Sequence, residues 1–89
     1  MEILKCASAG TLESSDLYVE VEPSESGLII ELDSVVFEQF GEKIKNVINE
    51  MLEENGIKNA IVRVQDKGAL ECVIRARVET AILRGRGEN

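Results

Sequence analysis

The sequence predicts an α+β fold, a small two-layer sandwich in which a three- to four-stranded sheet carries two helices on one face. Two runs of alternating apolar and polar residues come first, a helical run follows, and a β-branched strand and a second helical run come last. A short sheet with this element order buries its apolar face against its helices. At 89 residues we expect one domain, 1–89, with a flexible tail at 85–89.

The first half of the chain has the pattern of strands. Residues 2–9 are interpreted as a weak strand or an extended arm. Apolar and polar residues alternate from Leu17 to Glu22 and again from Leu28 to Asp33, which is typical of half-buried strands. Because Pro23 to Gly27 has the composition of a turn, we expect these two runs to pair as a β-hairpin in the order hairpin, helix, strand, helix.

The middle of the chain predicts a helix, because apolar residues recur there at spacings of three and four. Ser34 or Asp33 is the expected N-cap. Asn55-Gly56 is the expected end, since Gly adopts the left-handed conformation that follows many helices. The predicted buried stripe comprises Phe37, Phe40, Ile44, Val47, Ile48 and Met51.

The last third of the chain predicts a strand, a turn and a second helix. Residues 60–64 are rich in β-branched side chains, as strands are. Asp66-Lys67-Gly68 is the turn, and Asp66 is the expected cap of a helix from Ala69 to about Arg84. The residues at helical spacing in this segment are Leu70, Val73, Ile74, Arg77, Val78, Ala81 and Ile82.

Composition and charge exclude several classes of partner. Charged residues make up 30% of the chain, and the net charge of −7 provides no basic surface for nucleic acid or an anionic membrane. The charge is divided unevenly, with 13 acidic and 3 basic residues in 1–56 but 4 acidic and 7 basic residues in 57–89. Separate acidic and basic surfaces can orient partner proteins, although ordinary solvated faces also explain them.

The chain lacks the parts of an autonomous active site. It contains no His to activate a Ser or Cys, and it has too few metal-binding side chains for a zinc or iron–sulfur site. We therefore expect a non-catalytic protein without a metal. Cys6 and Cys72 are too few for a disulfide framework, and no signal peptide or membrane span is evident. These features indicate a cytoplasmic protein with free thiols, and Cys72 is expected to be a core residue.

The segment Gly10-Thr11-Leu12-Glu13-Ser14-Ser15-Asp16 is the best candidate for carrying chemistry. It places two adjacent hydroxyls among acidic residues in a small polar loop. A carrier protein needs an exposed serine of this kind, which a modifying enzyme can reach. An ordinary turn has the same composition, so the residues alone leave both interpretations open.

This segment resembles the prosthetic-group segment of the citrate lyase acyl carrier proteins, the gamma subunits of citrate lyase. Residues 38–44, 66–72 and 75–81 resemble further segments of that family in the same order, so the resemblance runs from about Ala9 to Leu83. The chain departs from the family pattern at Ser15, where many members have Gly.

The resemblance implies a covalent cofactor. Ser14, rather than the less favoured Ser15, would carry 2'-(5''-phosphoribosyl)-3'-dephospho-CoA through a phosphodiester, attached by holo-citrate lyase synthase, the prosthetic-group transferase. The thiol of this arm would bear acetyl and citryl thioesters. The citrate lyase alpha subunit would exchange acetyl for citrate, which releases acetate and leaves a citryl thioester on the arm. The beta subunit would cleave that thioester to oxaloacetate and regenerate the acetyl thioester. The chain itself would act as the tether that concentrates the thioester at both partner sites.

Other interpretations stay open at this point. The chain could instead be the carrier subunit of malonate decarboxylase, which uses the same type of prosthetic group, or a non-modified protein-interaction module. Glu13 and Asp16 are candidate partner-recognition residues, because they flank the serines. Lys67 and Arg77 suggest contacts to the phosphate of the arm, but helix solvation and pairing with the helix dipole also explain them, and we favour that explanation.

Overall fold

The structure of the protein, a computed structural model, describes residues 2–88. Along the chain its elements are β1 (Ala7–Gly10), β2 (Leu17–Pro23), β3 (Leu28–Ser34), α1 (Phe37–Glu54), β4 (Ala60–Asp66) and α2 (Glu71–Gly85). The four strands form one mixed sheet in the order β1-β2-β4-β3. The helices pack against each other and against the sheet. The predicted α+β class is therefore confirmed.

The pairing of the strands differs from the predicted pairing. The predicted hairpin between β2 and β3 is wrong, because β4 lies between them, antiparallel to β2 and parallel to β3. The hairpin of this fold is formed by β1 and β2, with Gly10 opposite Tyr18. Residues 11–16, which contain both candidate serines, are the loop of this hairpin. We call residues 10–16 the serine loop.

The central position of β4 explains the different pairing. Its inward-facing Ala60, Val62 and Val64 are 0%, 0% and 2% exposed. A strand this apolar is buried most completely in the centre of the sheet, where another strand lies on each side of it. A parallel pair such as β3 and β4 needs a crossover connection, and α1 provides it. Residues 24–27 carry the chain past the start of β4, where the carbonyl of Gly27 accepts the N–H of Ala60.

The core lies between the sheet and the two helices. Alternate residues of β2 and β4 face this layer, as the period-two pattern of these strands predicts. The side chains that are at most 1% exposed and apolar are Leu17, Val19, Ile48, Leu52, Ala60, Val62, Val78, Ala81 and Ile82. Buried aliphatic side chains from β1, β2, β4, α1 and α2 thus fix the sheet on which the serine loop is mounted.

The helix α1 has its predicted end but not its predicted start. It begins after Val36 without a side-chain cap, because the Ser34 hydroxyl accepts the N–H of Val36 and donates to Asp66 instead. Gly56 has a φ of 70°, which confirms the predicted stop. The predicted stripe is buried from Ile44 to Met51.

The first turn of α1 is a second correction. Phe37 and Phe40, which we expected in the core, are 46% and 50% exposed. An amphipathic stripe is buried only where another layer covers it, and the described chain covers only about half of each of these two side chains. Neither helix within residues 2–88 has the length and hydropathy needed to cross a bilayer.

The helix α2 begins at Glu71, two residues later than predicted, and Asp66 does not cap it. The buried Asp66 carboxylate accepts the N–H of Ala69 and the hydroxyl of Ser34, so it joins the β4–α2 loop to the end of β3. Cys72 is exposed, and its prediction as a core residue is wrong. The buried face of α2 comprises Ile74, Val78, Ala81, Ile82 and Gly85.

Position on the helix explains the exposure of Cys72. Residues two positions apart point to nearly opposite sides of a helix, and Cys72 is two positions before the buried Ile74. Gly85, which the sequence assigns to the tail, is the buried last residue of α2, and its carbonyl accepts the N–H groups of Leu4 and Lys5. Residues 86–88 continue in turns bonded to α2, and Asn89 lies outside the described residues.

Candidate functional site

The serine loop lies at one end of the sheet. The register places Leu17 opposite Asp66, and Ser34 beside Asp66 on the other side. The end of β1, the start of β2 and the ends of β3 and β4 therefore meet at this edge. The loop projects from the same end as the β3–α1 and β4–α2 connections.

Backbone hydrogen bonds hold the serine loop against the β4–α2 loop. The N–H of Ser15 donates to the carbonyl of Lys67 at 2.8 Å, and the N–H of Lys67 donates to the carbonyl of Asp16 at 2.9 Å. Within the loop, the N–H of Asp16 donates to the carbonyl of Glu13 at 3.1 Å. The serines thus lie on a braced turn rather than on a loose segment.

Both candidate serines are exposed. Across residues 2–88 neither hydroxyl has a hydrogen-bond partner, so a modifying enzyme would meet a free oxygen at either position. Ser15 differs from Ser14 in its backbone, because its φ of 65° lies in the left-handed region. Gly adopts that conformation without strain, which gives a physical reason for the Gly that the family resemblance implies at this position.

Asp16 anchors the loop and is not a freely exposed acid. Its side chain is 14% exposed. Its carboxylate accepts hydrogen bonds from the hydroxyl of Thr11 at 2.6 Å, from the N–H of Leu17 at 2.7 Å, and from two guanidinium N–H groups of Arg77 at 3.0 and 2.8 Å. The hydrogen bond from Arg77, followed by those from Thr11 and Leu17, holds the pKa of Asp16 well below its ordinary value of 3.8.

Arg77 therefore has a role that sequence reasoning missed. We expected it to pair with the helix dipole, but its guanidinium binds Asp16, and this carboxylate raises the pKa of Arg77. No sequence signal links two residues that are 61 positions apart. Thr11 was likewise missed, although hydroxyl and carboxylate side chains in one short loop often bond to each other.

Gly10 is a further residue that shapes the loop. Its φ is 96°, and a Cβ at this position would overlap the carbonyl oxygen of Leu17. Only Gly allows the two strands of the hairpin to approach each other this closely. The glycine that opens the motif is therefore required by the geometry of the loop.

The remaining predicted residues occupy different surroundings. Glu13 is exposed in the loop, as a residue that contacts a partner must be. Lys67 lies on the β4–α2 loop rather than on a helix, so helix solvation does not account for it. Among residues 2–88 its ammonium makes no salt bridge or hydrogen bond. No cluster of potential metal ligands is found in this part of the chain.

An apolar cavity of ≈ 310 Å³ opens beside the serine loop. Its wall is formed by α1, by the start of α2 and by the loop that follows Lys67. Its lining residues include Phe40, Lys43, Ala69, Leu70, Glu71 and Ile74. The end of the sheet therefore combines free hydroxyls, an uncommitted cation and an apolar recess, which suits the attachment of a molecule better than its chemical conversion.

Comparison with sequence families supports an interpretation as a carrier. A family model described as "ACP: Malonate decarboxylase delta subunit (MdcD)" matches residues 5–85. Nearly the whole chain is thus accounted for by one family, and the match includes the serine loop, both helices and the Lys67 segment.

Individual relatives are more specific. The citrate lyase acyl carrier protein of Pectobacterium atrosepticum is 51% identical over 84 residues, which cover 94% of this chain and 88% of that protein. The citrate lyase acyl carrier protein of Halothermothrix orenii is 50% identical over 84 residues, covering 94% of this chain and 89% of that protein. The similarity spans almost the full length of the relatives.

A solved structure has the same fold. The chain superimposes on a chain from the crystal structure of a Pseudomonas malonate decarboxylase hetero-tetramer in complex with malonate, with a TM-score of 0.80. The match covers 92% of this chain and 84% of the other at 23% sequence identity. At that identity the likeness concerns the fold alone.

Proposed function

The chain belongs to the family of acyl carrier proteins that includes the citrate lyase carriers and the malonate decarboxylase delta subunit, and from this membership we propose that it is the acyl carrier subunit of a citrate lyase. The observation that carries the proposal is the sequence identity to citrate lyase acyl carrier proteins. It is 51% over 84 residues for the protein of Pectobacterium atrosepticum. Such subunits carry an acyl group and are not themselves catalysts.

Ser14 is the proposed attachment point for 2'-(5''-phosphoribosyl)-3'-dephospho-CoA. The residues at the site suit this group. The hydroxyl of Ser14 is exposed and unbonded within the described chain, and the uncommitted ammonium of Lys67 lies on the loop that is hydrogen-bonded to Ser15. The Lys67 ammonium could bind a phosphodiester formed at Ser14, because no carboxylate of the described chain already occupies it.

When bound, the group supplies a thiol on a long arm that can carry acyl groups as thioesters. The residues of this chain hold the arm and aim it. The backbone bonds of Ser15 and the ion pair between Asp16 and Arg77 fix the base of the arm to the sheet. A fixed base limits the volume that the arm explores, and this raises the effective concentration of its end at the active sites of partner subunits.

The proposed partners are the citrate lyase alpha and beta subunits, which would convert citrate to acetate and oxaloacetate, and the synthase that loads Ser14. Exposed Glu13 beside the serine is the proposed contact for a basic surface of one of these proteins. The exposed thiols of Cys6 and Cys72 suit a reducing cytoplasm.

Mass mapping tests the attachment point. Native protein, or protein coexpressed with the synthase, is digested, and the peptide that contains residues 10–16 is sequenced by mass spectrometry. We expect the added mass on Ser14, and we expect Ser14→Ala to abolish loading while Ser15→Ala retains it. Addition to Ser15 would overturn the assignment, and a bare chain under citrate-inducing conditions would indicate a non-modified interaction module.

A second candidate function is the carrier subunit of malonate decarboxylase. It is favoured by the description of the family model and by the fold of the chain from the hetero-tetramer. Reconstitution separates the two functions. Loaded carrier is combined either with citrate lyase alpha and beta subunits or with the other malonate decarboxylase subunits. We expect oxaloacetate from citrate in the first mixture and no decarboxylation of malonate in the second.

A further inference from the structure

The apolar cavity beside the serine loop is larger than simple packing needs. Its volume of ≈ 310 Å³ is at the lower end of the range of about 300–1,000 Å³ that is typical of small-molecule pockets. Most of its lining is aliphatic or aromatic, and Phe40 and Leu70 stand at its walls while remaining 50% and 70% exposed. A flat apolar group could cover both side chains.

Exposed apolar side chains are concentrated at this end of the molecule. Of the seven large hydrophobic residues that are exposed in the described chain, five belong to the serine loop, the start of α1 with the turn before it, or the residue before α2. These five are Leu12, Val35, Phe37, Phe40 and Leu70. Clusters of this kind on a small domain mark a surface that is covered in use.

The cavity is connected to the attachment point through two adjacent residues. Lys67 exchanges backbone hydrogen bonds with Ser15 and Asp16, and the next residue, Gly68, lines the cavity. A group attached to Ser14 therefore begins one residue away from the backbone contact that leads to the cavity. The group attached to Ser14 is therefore the expected ligand of the cavity, because its covalent attachment keeps it near the cavity at high effective concentration.

The charges around the cavity suit an anionic group. Lys67 is bonded through its backbone to the serine loop and precedes Gly68 of the cavity wall, and its ammonium has no ionic partner in residues 2–88. Lys43 lies on the wall and is held only loosely by Glu71, with 4.0 Å between Nζ and Oε1. The phosphodiester and diphosphate groups of the arm are negatively charged, and these two lysines could neutralise them.

We propose that this cavity binds the adenosine portion of the arm attached to Ser14, with the base against Phe40 and Leu70 and with Lys67 beside the phosphodiester. The inference rests on the proposed prosthetic group. In that group the phosphoribosyl unit links the serine to the 2' position of the adenosine, so the adenosine is the part of the dephospho-CoA that lies closest to the serine. Purine rings stack on aromatic side chains and on apolar walls, whereas the pantetheine end remains outside and free to reach the partner subunits.

Fluorescence provides the first test, because the chain contains no Trp. Phe40→Trp places a reporter at the cavity, and Ile29→Trp places a matched reporter on β3, on an exposed side chain away from the helices. Each variant is prepared with and without the arm, and intact mass establishes loading. We expect loading to quench the emission of the Phe40→Trp protein and to leave that of the Ile29→Trp protein unchanged.

A second substitution tests the wall of the cavity. Leu70 is 70% exposed, so Leu70→Glu should leave the fold intact, as circular dichroism of the apo protein can verify. It places a carboxylate against the proposed base. In the Phe40→Trp background, Leu70→Glu should restore most of the emission that loading removes, and a quenching that persists unchanged would overturn the proposal.

Nuclear magnetic resonance identifies the part of the arm that binds. In loaded wild-type protein we expect nuclear Overhauser effects from the adenine protons to Phe40 and Leu70, together with amide shifts at Gly68 and Ala69. Effects from the pantetheine methyl groups at the same residues would overturn the assignment to adenosine. Shifts confined to residues 10–16 in loaded protein would show an arm that does not dock. Absence of loading in the intact mass would instead refute the proposed function itself.

Discussion

Arg77 and Asp16 are 61 residues apart and form a two-pronged ion pair, with 3.0 Å between Nε and Oδ1 and 2.8 Å between Nη2 and Oδ2. The pair joins the second helix to the last residue of the serine loop. The electrostatic anchor of the proposed carrier site is therefore provided by the C-terminal third of the chain.

The ion pair predicts a stability difference that depends on pH. The pKa of Asp16 is depressed in the folded chain below its ordinary value of 3.8, so its stabilising contribution is present above that value and is lost as the pH falls below it. We expect Arg77→Met to lower the urea midpoint at neutral pH, and we expect the difference from wild type to shrink in acid.

Arg84→Met is a matched control, since Arg84 bonds to the carbonyl of Ser8 rather than to a carboxylate. An Arg77→Met difference that stays constant from neutral pH into acid would contradict the prediction.

Reversal of the charge at Glu13 should weaken recognition of the loop. Glu13 is exposed, whereas reversal at Asp16 would also break the ion pair with Arg77, so Glu13→Lys is the cleaner variant. We expect slower loading by the synthase or weaker assembly at low salt, and a smaller difference at high salt, because salt screens exposed charges. Glu25→Lys, in the exposed turn before β3, serves as the control. Equal rates for the two variants at low salt would exclude a role for Glu13.

Replacement of Ser15 by Gly should stabilise the chain. Ser15 has a left-handed φ of 65°, and relief of that strain, less the larger entropy of Gly in the unfolded chain, is worth up to about 1 kcal/mol. Chemical denaturation measures the change. Ser14→Gly, at a neighbouring residue whose φ is not positive, should be destabilising. A gain at position 14 and none at position 15 would show that the backbone explanation is wrong.

Gly10 and Gly27 form a matched pair of glycines. Both have a φ near +95°, 96° and 95° respectively, but a Cβ at Gly10 would overlap the Leu17 carbonyl, whereas a Cβ at Gly27 would contact nothing. We expect Gly27→Ala to cost about 1–2 kcal/mol, the penalty of the left-handed conformation. Gly10→Ala should cost more than about 4 kcal/mol or prevent folding, because the strands of the hairpin must separate. Thermal denaturation of the two variants side by side tests the order.

The exposed and buried residues of α1 should differ sharply in their importance for folding. Ile48 is 0% exposed and Phe40 is 50% exposed. We expect Ile48→Ala to reduce the free energy of unfolding by about 2–5 kcal/mol, and Phe40→Ser to change it by less than about 1 kcal/mol. Urea denaturation measures both. A large loss for Phe40→Ser would mean that this ring belongs to the core after all.

The elements of the fold could be predicted from local patterns, but the neighbours of each strand could not. The alternation in β2 and β3 correctly identifies two strands, and residues 24–27 have the composition of a hairpin turn. The structure nevertheless inserts β4 between them. Period-two alternation shows which face of a strand is buried, whereas the choice of partner depends on how all four strands and the crossover helix share one core.

The candidate site shows the same division. The serines and the glycine of the loop were recognisable from one short segment, and the structure places them together on the β1–β2 hairpin. The contact between Asp16 and Arg77 was not recognisable, because long-range ion pairs have no local periodicity. The exposure of Phe40 and Cys72 was missed for a related reason, since helical spacing does not show how far the covering layer extends.

The bracing of the serine loop has a consequence for the timing of maturation. Residues 10–16 leave the ribosome before the carbonyl of Lys67 and the guanidinium of Arg77 that hold them, and Arg77 follows Asp16 by 61 residues. The loop therefore acquires its final shape only when β4 and α2 have been added. The proposed loading enzyme, if it recognises this shape, would distinguish folded carriers from nascent or damaged ones, so that the proposed cofactor is attached only to chains that have completed folding.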